Sequence, residues 1–119
     1  MDLKERIALL VTKADEISAT YWQRMGYTHS APPIHRADFI SEKWCRVVTL
    51  DEQNGVRKVT SVYCFVCLQD GQTRTLGVLY AGGIHKAASF KAPAKHARGN
   101  VFNDDFAKCL HEYGVVYLK

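Results

Sequence analysis

The residues best equipped for chemistry lie at positions 85–100, which read His-Lys-Ala-Ala-Ser-Phe-Lys-Ala-Pro-Ala-Lys-His-Ala-Arg-Gly-Asn. Lys86, Lys91, Lys95 and Arg98 are permanent cations, His85 and His96 are imidazoles, and no acid falls among them. Apart from Phe90 the remaining side chains are small, which lets a ligand approach the backbone. Arg98 presents a planar fork that grips phosphate through paired hydrogen bonds, whereas Lys91 and Lys95 act as point charges. Phe90 offers a face on which a base stacks. Asn100 both donates and accepts, as a base edge or a ribose demands. Gly99 beside it permits an unusual backbone angle. The candidate ligand-binding set is therefore Phe90, Lys91, Lys95, His96, Arg98, Gly99 and Asn100, within a basic segment at residues 86–102. The competing reading makes the same stretch an exposed basic loop with Phe90 in the core.

Catalysis has fewer parts to work with. Hydrolysis needs a carboxylate or a metal near the cations, and the adjacent Asp104 and Asp105 are explained by the dipole of a helix start. His85, His96 and His111 lack the spacing of zinc ligands. Gly82-Gly83 stands without the rest of a phosphate-binding loop motif. Cys64 and Cys67 form a CxxC, but Val62-Tyr-Cys-Phe-Val-Cys-Leu68 reads as a buried strand, whose side chains three apart face opposite ways. They are read as reduced core cysteines. A Cys109–His96 pair is the one nucleophilic arrangement left open. The expectation is a binding protein with no catalytic residue, metal or cofactor.

Charge along the chain supports a local anionic partner. Residues 53–100 carry Arg57, Lys58, Arg74, Lys86, Lys91, Lys95 and Arg98 against a single acid, Asp70. The flanking stretches hold slightly more acids than bases, so the net charge of +4 comes from this one region. At 119 residues the chain makes one domain, large enough for a modest core. No apolar run approaches the length of a membrane span, and the acid-bearing N-terminus lacks a signal peptide's apolar stretch. A protein that stays inside the cell making it is expected.

The elements that must position these residues follow from periodicity and breakers. Asp2 with Glu5 three residues on fits a helix cap, and Ile7, Leu10, Ala14, Ile17 and Tyr21 recur at helical spacing. Gly26 is a stop, so residues 3–25 are predicted to form one amphipathic helix. Tyr21, Trp22 and Arg24 at its end fit either a site or subunit contact, or aromatic core beside a surface arginine. Residues 28–34 contain Pro32-Pro33 and make a loop. Strands are expected at residues 43–50, 59–69, 73–80 and 84–90, with Asn54-Gly55 as a hairpin turn. Residues 103–112 are predicted to form a short helix, and residues 115–118 a closing strand. The predicted fold is α+β: an N-terminal amphipathic helix, a four- to five-stranded antiparallel sheet and a short C-terminal helix.

The segment Lys86-Ala-Ala-Ser-Phe-Lys-Ala-Pro-Ala-Lys-His-Ala-Arg-Gly-Asn-Val-Phe102, with the tail Tyr113-Gly-Val-Val-Tyr-Leu-Lys119, resembles a group of small tailed-phage proteins. The spacing of Phe90 and Asn100 is similar to that of the anti-Thoeris sponge family, oligomers that sequester cyclic ADP-ribose signals. That resemblance implies Phe90 as stacking platform, Asn100 as polar contact and Arg98 as phosphate ligand. It implies a homo-oligomer in the host cytoplasm that binds a cyclic nucleotide or other phosphate-bearing ligand without turning it over. The family's further arginines near the C-terminus have no match here. Alternative expectations are a phage nucleic-acid-binding protein and an inhibitor of a host protein.

Overall fold

Helix α1 spans Leu3–Met25 in the computed structural model, which describes residues 1–28 and 30–116. Chemistry fixes its start. The Asp2 carboxylate accepts from the Glu5 amide at 2.9 Å, and the Glu5 carboxylate accepts from the Asp2 amide at 3.3 Å. This reciprocal box satisfies amide groups that a helix start otherwise leaves without partners. Gly26 ends the helix at φ +72°, the left-handed conformation that glycine adopts at little cost. Replacing Asp2 by alanine should lower stability by about 1 kcal/mol. The check is a shifted denaturation midpoint with an unchanged slope, and no shift would show the cap to be idle.

Five strands form one antiparallel sheet in the order β1-β2-β3-β6-β7. They are β1 (Ile34–Phe39), β2 (Trp44–Gln53), β3 (Val56–Cys67), β6 (Gly83–Ala87) and β7 (Pro93–Asn100). Between β3 and β6 a separate small hairpin pairs β4 (Gly71–Thr73) with β5 (Gly77–Leu79). Asn54 and Gly55 turn β2 into β3 with φ of +53° and +77°. Positive φ at both central residues is what the tightest hairpins need to match strand twist.

The helix packs on one sheet face, where Ile7, Leu10 and Ala14 meet Cys45, Val47, Cys64, Val66 and Ile84. The other face carries the register row Arg46, Phe65, His85 and Ala97. Trp44 meets Phe65 and His85 edge to face there, with ring centroids 6.2 and 5.1 Å away. Cys64 and Cys67 thus lie on a strand and are both buried. All four cysteines are free thiols.

One strand was not foreseen, and three local expectations need correction. Residues 34–39 form β1, an edge strand whose one fully buried side chain, His35, gave little hydrophobic signal. Residues 73–80 do not make a third strand of the main sheet. The Thr73 hydroxyl accepts from the Leu76 amide at 2.9 Å and Gly77 adopts φ +75°, so the chain folds back on itself. The basic segment is not an open loop: its second half is the edge strand β7. Pro93 begins that strand, where a missing N–H matters least. The helix expected over residues 103–112 is only a 3-10 turn at Phe106–Cys109, because Asp105 provides no side-chain cap. After it β8 (Leu110–His111) pairs with β9 (Gly114–Val115), while Tyr117 and Leu118 of the expected closing strand lie outside the described residues.

Candidate functional site

Lys95, His96, Arg98, Gly99 and Asn100 of β7 line a groove of about 650 Å³ on the sheet face away from α1. Leu76, Gly77, Val78 and Tyr80, on and around β5, make the opposite wall. The Lys95 stem runs along Gly77, whose absent side chain leaves it room: a Cβ there would stand 4.0 Å from Lys95 Cε. Arg98 is anchored by backbone. Its Nε donates to the Val116 carbonyl at 3.2 Å and one Nη to the carbonyl of His96. The other Nη nitrogen has no hydrogen-bond partner among the described residues and is left for a ligand.

Phe90 and Lys91 are not brought to this groove. They sit in the turn between β6 and β7, where the Arg46 guanidinium lies 4.4 Å from the Phe90 ring centre and donates to the Phe90 carbonyl at 3.2 Å. Phe90 remains 49% exposed. Asn100 lines the groove but is already engaged: its Nδ2 donates to the Ala81 carbonyl at 3.1 Å and its Oδ1 accepts from the Phe102 amide at 2.9 Å. Gly99 has no left-handed backbone angle, which corrects the reason given for it above. Its role is closeness, since a Cβ would come within 3.1 Å of Cys109 Sγ.

His85 contributes chemistry that its place in the sequence did not reveal. It is 2% exposed, and its Nδ1 stands 2.8 Å from the Ala94 carbonyl. A carbonyl only accepts, so Nδ1 carries the proton and Nε2 offers a lone pair. Burial holds the imidazole pKa below its usual value, the Ala94 bond opposes that, and nearby Arg98 and His96 add to the lowering. The groove therefore holds a neutral acceptor at His85 beside the cationic Lys95 and Arg98.

His35 shifts the same way. Burial lowers its pKa, against the raising effect of the Asp15 carboxylate 2.8 Å from Nδ1. An unfolded imidazole titrates near 6.5. Below that pH the unfolded chain takes up protons that these two folded histidines refuse, so stability is full above about pH 6.5 and falls as pH drops toward the folded values. Melting temperature should decline between pH 7 and 5, and His85→Gln should flatten the decline. An NMR midpoint for His85 at or above 6.5 would contradict this assignment.

The sequence reading missed Tyr80 and the β5 wall, and it named His85 without placing it in the candidate set. A lone aromatic before Gly82-Gly83 was the available signal for Tyr80. Cys109, weighed above as a nucleophile, is buried, and burial pushes its thiol up to about 11. Its Sγ donates to the Phe106 carbonyl at 3.2 Å, so it stays protonated at neutral pH. Among the described residues no group of three or more His, Cys, Asp or Glu is placed to hold a metal ion. No helix among them is long and apolar enough to cross a membrane.

Residues 35–114 match a family model described as "Family of unknown function (DUF7717)". The matched span includes both walls of the groove and leaves out α1. No curated protein and no solved structure matches the chain.

Proposed function

Starting from a chain that belongs to the DUF7717 family of unknown function, we propose that it captures a small phosphate-bearing nucleotide, without turnover, in the groove between β5 and β7. One observation carries this reading: Lys95, His96 and Arg98 converge on a groove whose described lining includes no carboxylate. Its volume lies in the ordinary range for small-molecule sites. In this reading Arg98 and Lys95 hold phosphate. Tyr80, 66% exposed on the facing wall, stacks a base. His85 Nε2 accepts from a base edge or a hydroxyl. Tyr80 thereby takes the stacking role that the resemblance gave to Phe90.

The resemblance to the sponge family narrows the ligand to a cyclic nucleotide signal. On that proposal the chain is a phage protein that works as a homo-oligomer in the host cytoplasm. Sequestration rather than hydrolysis rests on the resemblance, because a neutral imidazole such as His85 is itself able to serve as a general base. The test is calorimetry and thermal shift against cyclic ADP-ribose isomers, cyclic oligonucleotides, AMP and inorganic phosphate. Native mass spectrometry reports oligomeric state and whether the bound ligand keeps its mass. Saturable binding of one nucleotide with unchanged mass is expected. Absence of binding to every member of the panel would end the proposal. Binding only to oligonucleotides, with affinity falling steeply in salt, would replace it with nucleic-acid binding.

A further inference from the structure

A second cavity, of about 670 Å³, opens between the C-terminal end of α1 and the β2–β3 hairpin. Its chemistry is the reverse of the groove's. Trp22, Tyr27 and Tyr113 supply aromatic walls, Asp51 and Glu112 supply carboxylates, and no lysine or arginine lines it among the described residues.

The walls are fixed rather than loose. Trp22 and Tyr27 meet at 67° with ring centres 4.7 Å apart, forming a corner. Trp22 Nε1 donates to the Ser30 carbonyl at 3.1 Å, which sets the indole's orientation. The Tyr113 hydroxyl donates to that of Tyr21 at 3.1 Å, and the two rings pack edge to face. The cross-strand pair Thr49 and Ser61 lines the sheet side of the cavity.

Both carboxylates lie free of ion pairs among the described residues, with Lys58 opposite Asp51 in the sheet register and Arg24 sharing a neighbouring cleft with Glu112. Asp51 accepts from the Thr60 hydroxyl. Trp22 lies in the last turn of α1, so the cavity also borders the negative end of the helix dipole. Aromatic faces attract cations through their quadrupole, and more strongly where water is displaced. Aromatic walls, two carboxylates and a helix carbonyl end all favour positive charge, and all disfavour the phosphate ligand proposed for the groove.

We infer that this cavity is a binding site for an alkylammonium group. Either a free small cation of the choline type or the methylated lysine side chain of a partner protein brings that chemistry. The experiment titrates the full chain by NMR, following the Trp22 indole N–H, with choline, tetramethylammonium, an Nα-acetyl trimethyl-lysine amide and 3,3-dimethylbutanol. The last is choline's uncharged isostere. Saturable shifts are expected from a cation, with the isostere weaker by about tenfold or more. Glu112→Gln, at a half-buried side chain without a hydrogen bond among the described residues, should weaken the cation several-fold and leave the melting temperature unchanged. Tyr27→Ala should weaken it about tenfold. Saturation by choline identifies a free cation as the source, and saturation by the lysine derivative alone identifies a partner's side chain. Equal binding of cation and isostere, or no shift with any cation at millimolar concentration, overturns the inference.

Discussion

Reversing the charge of one groove wall, with Lys95→Glu and Arg98→Glu together, should weaken nucleotide binding by roughly a thousandfold. A hydrogen bond to a charged group contributes on the order of 1.5–3 kcal/mol, so losing two costs about 4 kcal/mol before any repulsion is counted. Repulsion then adds to the loss, because the new carboxylates would face phosphate in a groove that now holds no acid among its described lining residues. The fold should tolerate the change. Lys95 is exposed on an edge strand, and the acceptors that Arg98 leaves, the carbonyls of His96 and Val116, belong to exposed residues. Calorimetry reads the affinity, and a thermal melt confirms that the variant is folded. Phe90→Ala is the decisive companion. Its ring lies on Arg46 outside the groove, so binding should change by no more than about twofold, with a stability loss of about 1 kcal/mol. If Phe90→Ala abolishes binding while the double reversal spares it, the ligand sits on the turn between β6 and β7 instead.

Gly82→Ala should be the most destabilising single methyl that can be added to this protein's glycines, at about 3 kcal/mol or more. Two costs combine. Gly82 has φ +88°, a backbone conformation that side chains rarely adopt, and this alone costs on the order of 1–3 kcal/mol. The new Cβ would also stand 2.6 Å from Asn100 Oδ1 and 2.8 Å from Phe102 Cδ2. The nearer neighbour does not yield easily. Asn100 is held through both ends of its amide, to Ala81 and to Phe102. The backbone of Gly82 is pinned too, donating to the Cys67 carbonyl at 2.7 Å and accepting from the Val101 amide at 2.9 Å. Chemical denaturation measures the loss, and Gly71→Ala is the control. Gly71 has no atom within 4 Å of a built Cβ and no positive φ, so its change should stay within about 0.5 kcal/mol. A loss below about 1 kcal/mol for Gly82→Ala would mean the turn relaxes freely.

What could be read in the sequence depended on whether the signal was local. Helix α1 was legible to its ends because Asp2, Glu5 and Gly26 mark it chemically and Ile7, Leu10 and Ala14 mark its buried stripe. The β2–β3 turn was legible because Asn54-Gly55 suits two positive φ angles. Strand β7 was not, since Pro93-Ala-Lys-His-Ala-Arg-Gly-Asn100 has no β-branched or aromatic residue. It becomes a strand by pairing with β6, a tertiary effect. The candidate site divides the same way. Lys95, His96, Arg98, Gly99 and Asn100 are neighbours in sequence and stay together on one wall. Phe90 was separated from them by the turn that sends the chain back along β6. The facing wall comes from a hairpin whose position no local pattern encodes. The aromatic cavity is more distant still, for it joins Trp22 and Tyr27 to Tyr113 near the other end of the chain.

The buried thiols have a consequence for how the protein's opening can be followed. Cys45, Cys64, Cys67 and Cys109 are all buried, and burial raises the pKa of each. Alkylating reagents attack the thiolate, so in the folded state each site lacks both access and the reactive form. Modification therefore waits on opening, and its rate at each cysteine becomes a clock for the segment that carries it. Cys109, on the 3-10 turn behind the groove, times the C-terminal segment, while Cys64, in the middle of the sheet, times the whole domain.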